Sequence, residues 1–316
     1  MSPSEWLGSW AGMYITQSCL HAFTAAVLSE GSIRAWAIQE PVAKQRLRLL
    51  VVIFPALSPP LYQVLNPQRG SASFRVETAL LDSSLWLAME PLAWLLLALL
   101  AATSVVFVLQ ELLPVLRHTF GDRGGSLPQD APEAELAAQA LRPLGQERPR
   151  VLLLEDEEEP VLLSSQGNGC IYVSRALLRL LEPQELAAAL AHEAAHLRRT
   201  SRAILILGFL FRVVMFFNPV VLLAFRKAVQ EEEKICDDMA VQMTGSAAAL
   251  AGALTKLMPA RQSENPWAAL QQESHRLQLQ ARVRRLQAPP ANPRAHGWPE
   301  LAATVAAVAA INYFVV

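Results

Sequence analysis

Charge is scarce in this chain. Of 316 residues, 17% are charged and 53% are hydrophobic, whereas soluble domains usually carry about 25% charged residues. That shortfall, with a positive mean hydropathy, points to a membrane protein with a polar portion. The formal net charge of -1 offers no basic field for nucleic acid. Cysteine is scarce too. Cys19, Cys170 and Cys236 are odd in number and have no paired spacing, which argues against a disulfide framework and suits reduced thiols on a cytosolic face or in a membrane. The N-terminus, Met1-Ser2-Pro3-Ser4-Glu5, lacks the basic region of a secretory signal, so the first apolar stretch is expected to be a retained span. No internal repeat is visible.

What the chain has instead is apolar length. A spanning helix needs about 20 mostly apolar residues, and the stretches that approach this are Trp10 to Leu28, Leu49 to Leu65, Trp86 to Leu113 and Leu301 to Val316. The second is short and carries Pro55, Pro59 and Pro60, tolerated in a membrane where neighbours satisfy the freed carbonyls. Loop charge sets the orientation. Arg34, Lys44, Arg46 and Arg48 follow the first stretch; Arg69 and Arg75, balanced by Glu77 and Asp82, follow the second; Arg117 and Arg123 follow the third. The expectation is an external N-terminus, an internal 31–48 loop, an external 67–85 loop, and a cytosolic segment from Arg117 onward. A crossing by the last stretch puts the C-terminus outside. This divides the chain into a membrane region (1–116, three spans), a cytosolic domain (117–299) and a C-terminal span (300–316).

The expected class is α+β, mostly helical. Gly121 to Pro132 reads as a turn-rich linker, Glu133 to Leu144 as a short helix, and Glu155 to Glu159 as an acidic loop. Arg150 to Leu154, Pro160 to Leu163 and Cys170 to Val173 are strand candidates, and their spacing suggests a small antiparallel sheet. From Leu181 the chain reads as helix, with Pro183 in the first turn and Glu182 and Glu185 at its positive end.

Within that helix lies His192-Glu193-Ala194-Ala195-His196. Residues four apart share a helix face, so both imidazoles can reach one metal ion, and Glu193 can contact a water beside it. A random chain of this composition would contain the pattern on the order of 1% of the time. A catalytic zinc needs a third protein ligand and an open position. The best candidate lies in "EEEKICDDMA", Glu231 to Ala240. Glu233 and Asp237 there share a face, Glu233 as ligand and Asp237 as a carboxylate orienting a histidine through its other ring nitrogen. Taken alone, this acidic run would read as a solvated helix face.

The stretches "LLEPQELAAALAHEAAHLRR", "FFNPVVLLAFRKA", "EEEKICDDMAV" and "PVLLSSQGNGCIYVSRALL" resemble, as a series, the membrane gluzincins of the BlaR/MecR type. The resemblance is close over Val151 to Val241. More distantly the chain looks like HtpX and the CAAX prenyl endopeptidases. The resemblance implies a zinc endopeptidase with His192, His196 and Glu233 as ligands, Glu193 as general base and Asp237 as supporting carboxylate. It leaves Cys236 as a helix-packing residue, with ligation of the metal by its thiol as the alternative. Sensor-transducers of this type continue into an extracellular penicillin-binding domain; the chain ends at Val316, and the expectation is another input or constitutive activity.

Zinc acidifies its bound water and polarises a carbonyl, and Glu193 would pass the water's proton to the leaving amine. A peptide is expected to add as a strand to a sheet edge. His275 and Tyr172 are candidates for stabilising the oxyanion. Ala203 to Phe225 is apolar apart from Arg212 and Asn218, yet His196 and Glu233 must return to one side. A re-entrant or interfacial hairpin broken at Asn218-Pro219 is therefore expected, with Arg212 snorkelling or paired. The expected partners are a protein or peptide substrate and membrane lipid, with no nucleic acid; homo-oligomerisation is left open. The expected location is a bacterial inner membrane with the active site facing the cytosol. The alternative is a non-catalytic membrane transducer with a vestigial zinc site.

Overall fold

The computed structural model describes residues 10–80, 90–109, 140, 149–154, 162–165, 169–199, 202–258, 266–288 and 298–316. The linker, the acidic loop, most of the 133–144 helix and the ends of the third apolar stretch lie outside these residues. In chain order the described elements are α1 (Trp10–Ala35), α2 (Pro41–Leu65), a 3-10 turn (Pro67–Gly70), α3 (Ala72–Glu77), α4 (Glu90–Phe107), β1 (Arg150–Leu154), β2 (Leu162–Ser165), β3 (Cys170–Ser174), α5 (Arg175–Leu180), α6 (Pro183–Arg198), α7 (Arg202–Val214), α8 (Pro219–Thr244), α9 (Ala247–Lys256), α10 (Pro266–Gln287) and α11 (Trp298–Tyr313). They form two compact units. Unit one comprises Met1–Gly121, Ser201–Glu232 and Pro293–Val316; unit two comprises Asp122–Thr200 and Glu233–Asn292.

Unit one is helical among the described residues, and its core is built from Ala22 and Ala25 of α1, Val51 and Val52 of α2, Met215, Val221 of α8 and Val308 of α11. The proline-bearing stretch is the C-terminal part of the 25-residue helix α2. Pro60 has no N–H for the carbonyl of Ala56, four residues back. The Tyr14 hydroxyl donates to that oxygen at 3.0 Å. A buried carbonyl without a partner costs about 1–3 kcal/mol, so this contact lets the helix pass its prolines. Among the described residues, α2 is the helix whose length and composition suffice to cross a membrane; Pro91–Phe107 and Ala203–Val214 are apolar but shorter.

The 203–225 segment is not one continuous helix. The chain turns between α7 and α8, and Asn218 starts α8 by accepting from the backbone N–H groups of Val220 (3.0 Å) and Val221 (3.3 Å), with Pro219 as the first helical residue. The buried Arg212 guanidinium stacks near the rings of Phe225 (4.9 Å), Phe107 (5.8 Å) and Phe209 (6.0 Å). Next to the end of unit one, α8 is held to α2 through buried polar contacts. Arg48 pairs with Glu231, and Gln45 Nε2 donates to Glu232 Oε2 at 2.8 Å. Glu231 and Glu232 are 1% and 4% exposed.

Unit two is built on a sheet of order β1-β3-β2. β2 and β3 form an antiparallel hairpin with Leu162 opposite Val173 and Ser165 opposite Cys170, entered through Gly169 at φ +61°. The expectation of a wholly antiparallel sheet is corrected by β1, which pairs parallel to β3, Arg150 opposite Cys170 through Leu154 opposite Ser174. β1 and β2 do not neighbour one another, because β3 returns between them. The Ser174 hydroxyl accepts from Leu177 N–H at 3.2 Å and starts α5. Pro183 opens α6, and the Glu182 N–H donates to Glu185 Oε2 at 2.9 Å, one half of a capping box. The buried face of α6, including Leu186, Ala188, Leu190, Ala191 and Ala194, packs with Ile171 and Val173 of β3, Leu250 and Leu254 of α9, and Leu279 and Val283 of α10.

Candidate metal centre

Helical periodicity brings His192 and His196 onto one face of α6, one turn apart. Their rings meet edge to face, with centroids 4.8 Å apart, and their Nε2 atoms are 3.2 Å apart. Glu233, from α8, completes the group. Its Oε2 lies 3.4 Å from His192 Nε2 and its Oε1 3.5 Å from His196 Nε2. Zinc bonds of about 2.0–2.1 Å at tetrahedral angles place neighbouring donors about 3.3–3.4 Å apart. The donor set thus fits one small divalent cation in type and in spacing, and the three side chains form a group able to hold a metal.

The far nitrogens of both rings also have partners, supplied by adjacent residues of α8. His192 Nδ1 is 3.0 Å from Asp237 Oδ1, and His196 Nδ1 is 3.3 Å from Cys236 Sγ. Asp237 and Cys236 are both fully buried. Cys236 therefore touches a site histidine in addition to packing in the helix.

Arg282, from α10, is not among the sequence-derived candidates. Nothing in its spacing marks it, since it lies far along the chain from the acidic run; the one available signal was the charge match of Arg282 and Arg285 to "DD" at Asp237 and Asp238. Its guanidinium forks onto Asp237, Nε to Oδ2 at 2.9 Å and Nη2 to Oδ1 at 2.6 Å, while Nη1 donates to Glu233 Oε2 at 2.9 Å. Three residues on, Arg285 pairs with both oxygens of Asp238 at 2.7 and 2.6 Å.

These contacts set the protonation states. Burial opposes the charged form of each carboxylate, but His192 and Arg282 outweigh it and hold both Glu233 and Asp237 down to about 2. Burial also disfavours a charged His192, yet Asp237 and Glu233 hold its pKa up to about 9. Burial works against the Arg282 cation, and the Asp237 carboxylate reverses the balance and raises its pKa. The cluster is thus a set of anionic oxygens and imidazoles that holds positive charge, whether as protons or as a cation.

The cluster sits at a cavity of about 310 Å³. Glu193 lines it beside both histidines; His275 and Arg282 line it too, and the remaining wall is apolar, with Leu162 of β2, Leu250, Leu254 and Leu257 prominent. His275 is exposed and stands at this cavity, whereas Tyr172, half-buried on the central strand, is not part of its lining. Among the sequence-derived candidates, His192, Glu193, His196, Glu233 and Asp237 come together, and His275 borders them.

The sequence model of the BlaR1 peptidase M56 family matches residues 64–286, a span that includes every one of these groups. The chain belongs to the BlaR1 peptidase M56 family. No curated protein matches it. The M56 match begins in the last turn of α2 and ends one residue before the end of α10, so it covers most of unit two and part of unit one. As a member of the M56 family the chain is assigned to the peptidases.

Proposed function

We propose that this M56 peptidase is a membrane-embedded, zinc-dependent endopeptidase acting on a protein or peptide, with the active site on the cytosolic side. The observation that carries the proposal is the convergence of His192, His196 and Glu233 at tetrahedral spacing, with Glu193 at the same cavity. A zinc ion held by these ligands supplies Lewis acidity, which acidifies water and polarises a carbonyl. Glu193 accepts the proton of the attacking water and delivers it to the leaving amine. Asp237 holds the His192 ring by Nδ1, and Cys236 does so for His196, so that each Nε2 faces the centre. Hydrophobicity of the long helix α2 and the charge pattern of the loops support the membrane setting.

The cavity supports a substrate with an apolar side chain beside the cleaved bond, because leucines form most of the wall away from the polar cluster. Among the described residues β2 lies at an edge of the sheet, and its Leu162 lines the cavity, which suits a substrate that adds as a further strand. The test is metal analysis and peptide cleavage by the purified full chain beside His196→Ala. Stoichiometric zinc and cleavage in the first, and loss of both in the second, are expected; full zinc occupancy in His196→Ala would overturn the ligand set.

A further inference from the structure

Among the described residues, Arg282 is the one charged group lining the cavity that the proposed chemistry leaves without a task. Its side chain is 13% exposed. A guanidinium presents its donors in one rigid plane. With Nε and Nη2 closed on the two oxygens of Asp237, the direction of Nη1 is fixed, and it points at a single oxygen of Glu233, Oε2. Glu233 Oε1 lies 3.5 Å from His196 Nε2, and Oε2, the oxygen held by Arg282, lies 3.4 Å from His192 Nε2. On the other side of the fork, Asp237 Oδ1 faces His192 Nδ1. One side chain of α10 therefore governs the rotation of a carboxylate ligand and, through Asp237 and through its own Nη2 at 3.4 Å from Nδ1 and Nε2 of His192, of an imidazole ligand.

We propose that Arg282 is a positioning residue: it fixes the rotation of the Glu233 carboxylate and locks Asp237 onto His192, so that two of the three ligands are held ready for the metal. The inference rests on the assignment of His192, His196 and Glu233 as ligands. A charge-assisted hydrogen bond at 2.9 Å and a planar fork together resist rotation of the Glu233 carboxylate. Lysine at this position would keep the charge but, as a rotatable point donor, could not hold both carboxylates. The neighbouring Arg285 pair with Asp238 keeps α10 joined to α8 when Arg282 is replaced.

The experiment uses the detergent-solubilised full chain, stripped of metal and reloaded with cobalt(II), whose visible absorption weakens as its coordination number rises. Wild type, Arg282→Lys, Arg282→Ala and Glu233→Gln are compared for cobalt affinity and absorption, with melting followed by circular dichroism. Both Arg282 variants are expected to lose about 10–100-fold in affinity and to show an altered absorption per bound cobalt as the ligand geometry relaxes, with Arg282→Lys melting like wild type. Wild-type affinity and absorption in Arg282→Lys would overturn the proposal, and this variant decides the matter if Arg282→Ala does not fold. Undiminished cobalt binding by Glu233→Gln would instead overturn the ligand set on which the proposal stands, a failure separate from that of Arg282.

Discussion

Cys236 Sγ lies 3.3 Å from the Nδ1 atom of His196, just as its neighbour Asp237 meets Nδ1 of His192 at 3.0 Å. Two consecutive residues of α8 thus steady two histidines one turn apart on α6. Partners of this kind typically contribute about 10–100-fold in metal affinity or activity. Asp237→Ala is expected to fall in that range and Cys236→Ala toward its lower end, because a thiol is the weaker hydrogen-bonding group. Chelator competition measures both. Unchanged affinity in Cys236→Ala would reduce the thiol to a packing residue.

Glu193→Gln is expected to keep its metal and lose about 10²–10⁴-fold in cleavage rate, the usual contribution of a general base. Metal analysis and a turnover assay on the same preparation separate this from loss of a ligand. Cleavage at the wild-type rate would remove Glu193 from the mechanism.

Acid is expected to destabilise unit two in a way that Glu185 partly controls. Burial raises the Glu185 pKa, but Lys256 at 2.6 Å and the Glu182 N–H bring it below the usual 4.5. The folded pKa lies below the unfolded one, so the stabilisation is present above pH 4.5 and is lost as pH falls through the folded value. Glu233 and Asp237, held down to about 2, have the same sign. Melting temperature should therefore drop with acidification below pH 4.5, and Glu185→Gln should show a shallower drop. An identical slope in the variant would show that this carboxylate has no part in it.

Gly252 is fixed by the same carboxylate. A Cβ there would lie 2.6 Å from Glu185 Oε1. In a helix interior Gly→Ala ordinarily gains about 0.8–1.0 kcal/mol, whereas disturbing an N-terminal cap costs about 0.5–2 kcal/mol. Gly252→Ala is therefore expected to yield no net stabilisation in the wild-type background and a gain once Glu185→Ala has removed the obstacle. A double-mutant cycle by denaturant unfolding reads this coupling; additive effects would show that the contact relaxes freely.

The membrane orientation is tested with single cysteines at Ser71 and at Ser126 in a cysteine-free background. An impermeant thiol reagent on intact cells should label Ser71→Cys and spare Ser126→Cys. The reverse pattern would invert the proposed topology.

The histidine pair was legible because it is local: two residues four apart on a helix announce a shared face. Glu233 was legible as a candidate through the acidic run and its helical spacing from Asp237. Arg282 was not, because its part depends on how α10 packs against α8, and no local period encodes that. The direction of β1 was hidden for a similar reason. The hairpin of β2 and β3 follows from a short glycine-bearing turn, but the side on which β1 joins depends on the course of the chain between β1 and β2. The prolines of α2 made that stretch look the least regular of the apolar segments, because Tyr14, the donor that offsets Pro60, comes from another helix.

Glu231, Glu232 and Glu233 are one letter repeated, with three destinations: Arg48, Gln45 and the histidine pair. Successive helical residues are rotated by about 100° and raised by about 1.5 Å. A substitution in this run disturbs one destination, whereas loss of a single codon passes every later side chain of α8 to its neighbour's place while barely altering the composition. Asp237 and Cys236 would be rotated away together with Glu233. The stretch between Lys227 and Asp238 should accordingly tolerate exchanges of residue far better than changes of length, and a library of single-codon deletions and point variants, scored for metal binding, would reveal that asymmetry.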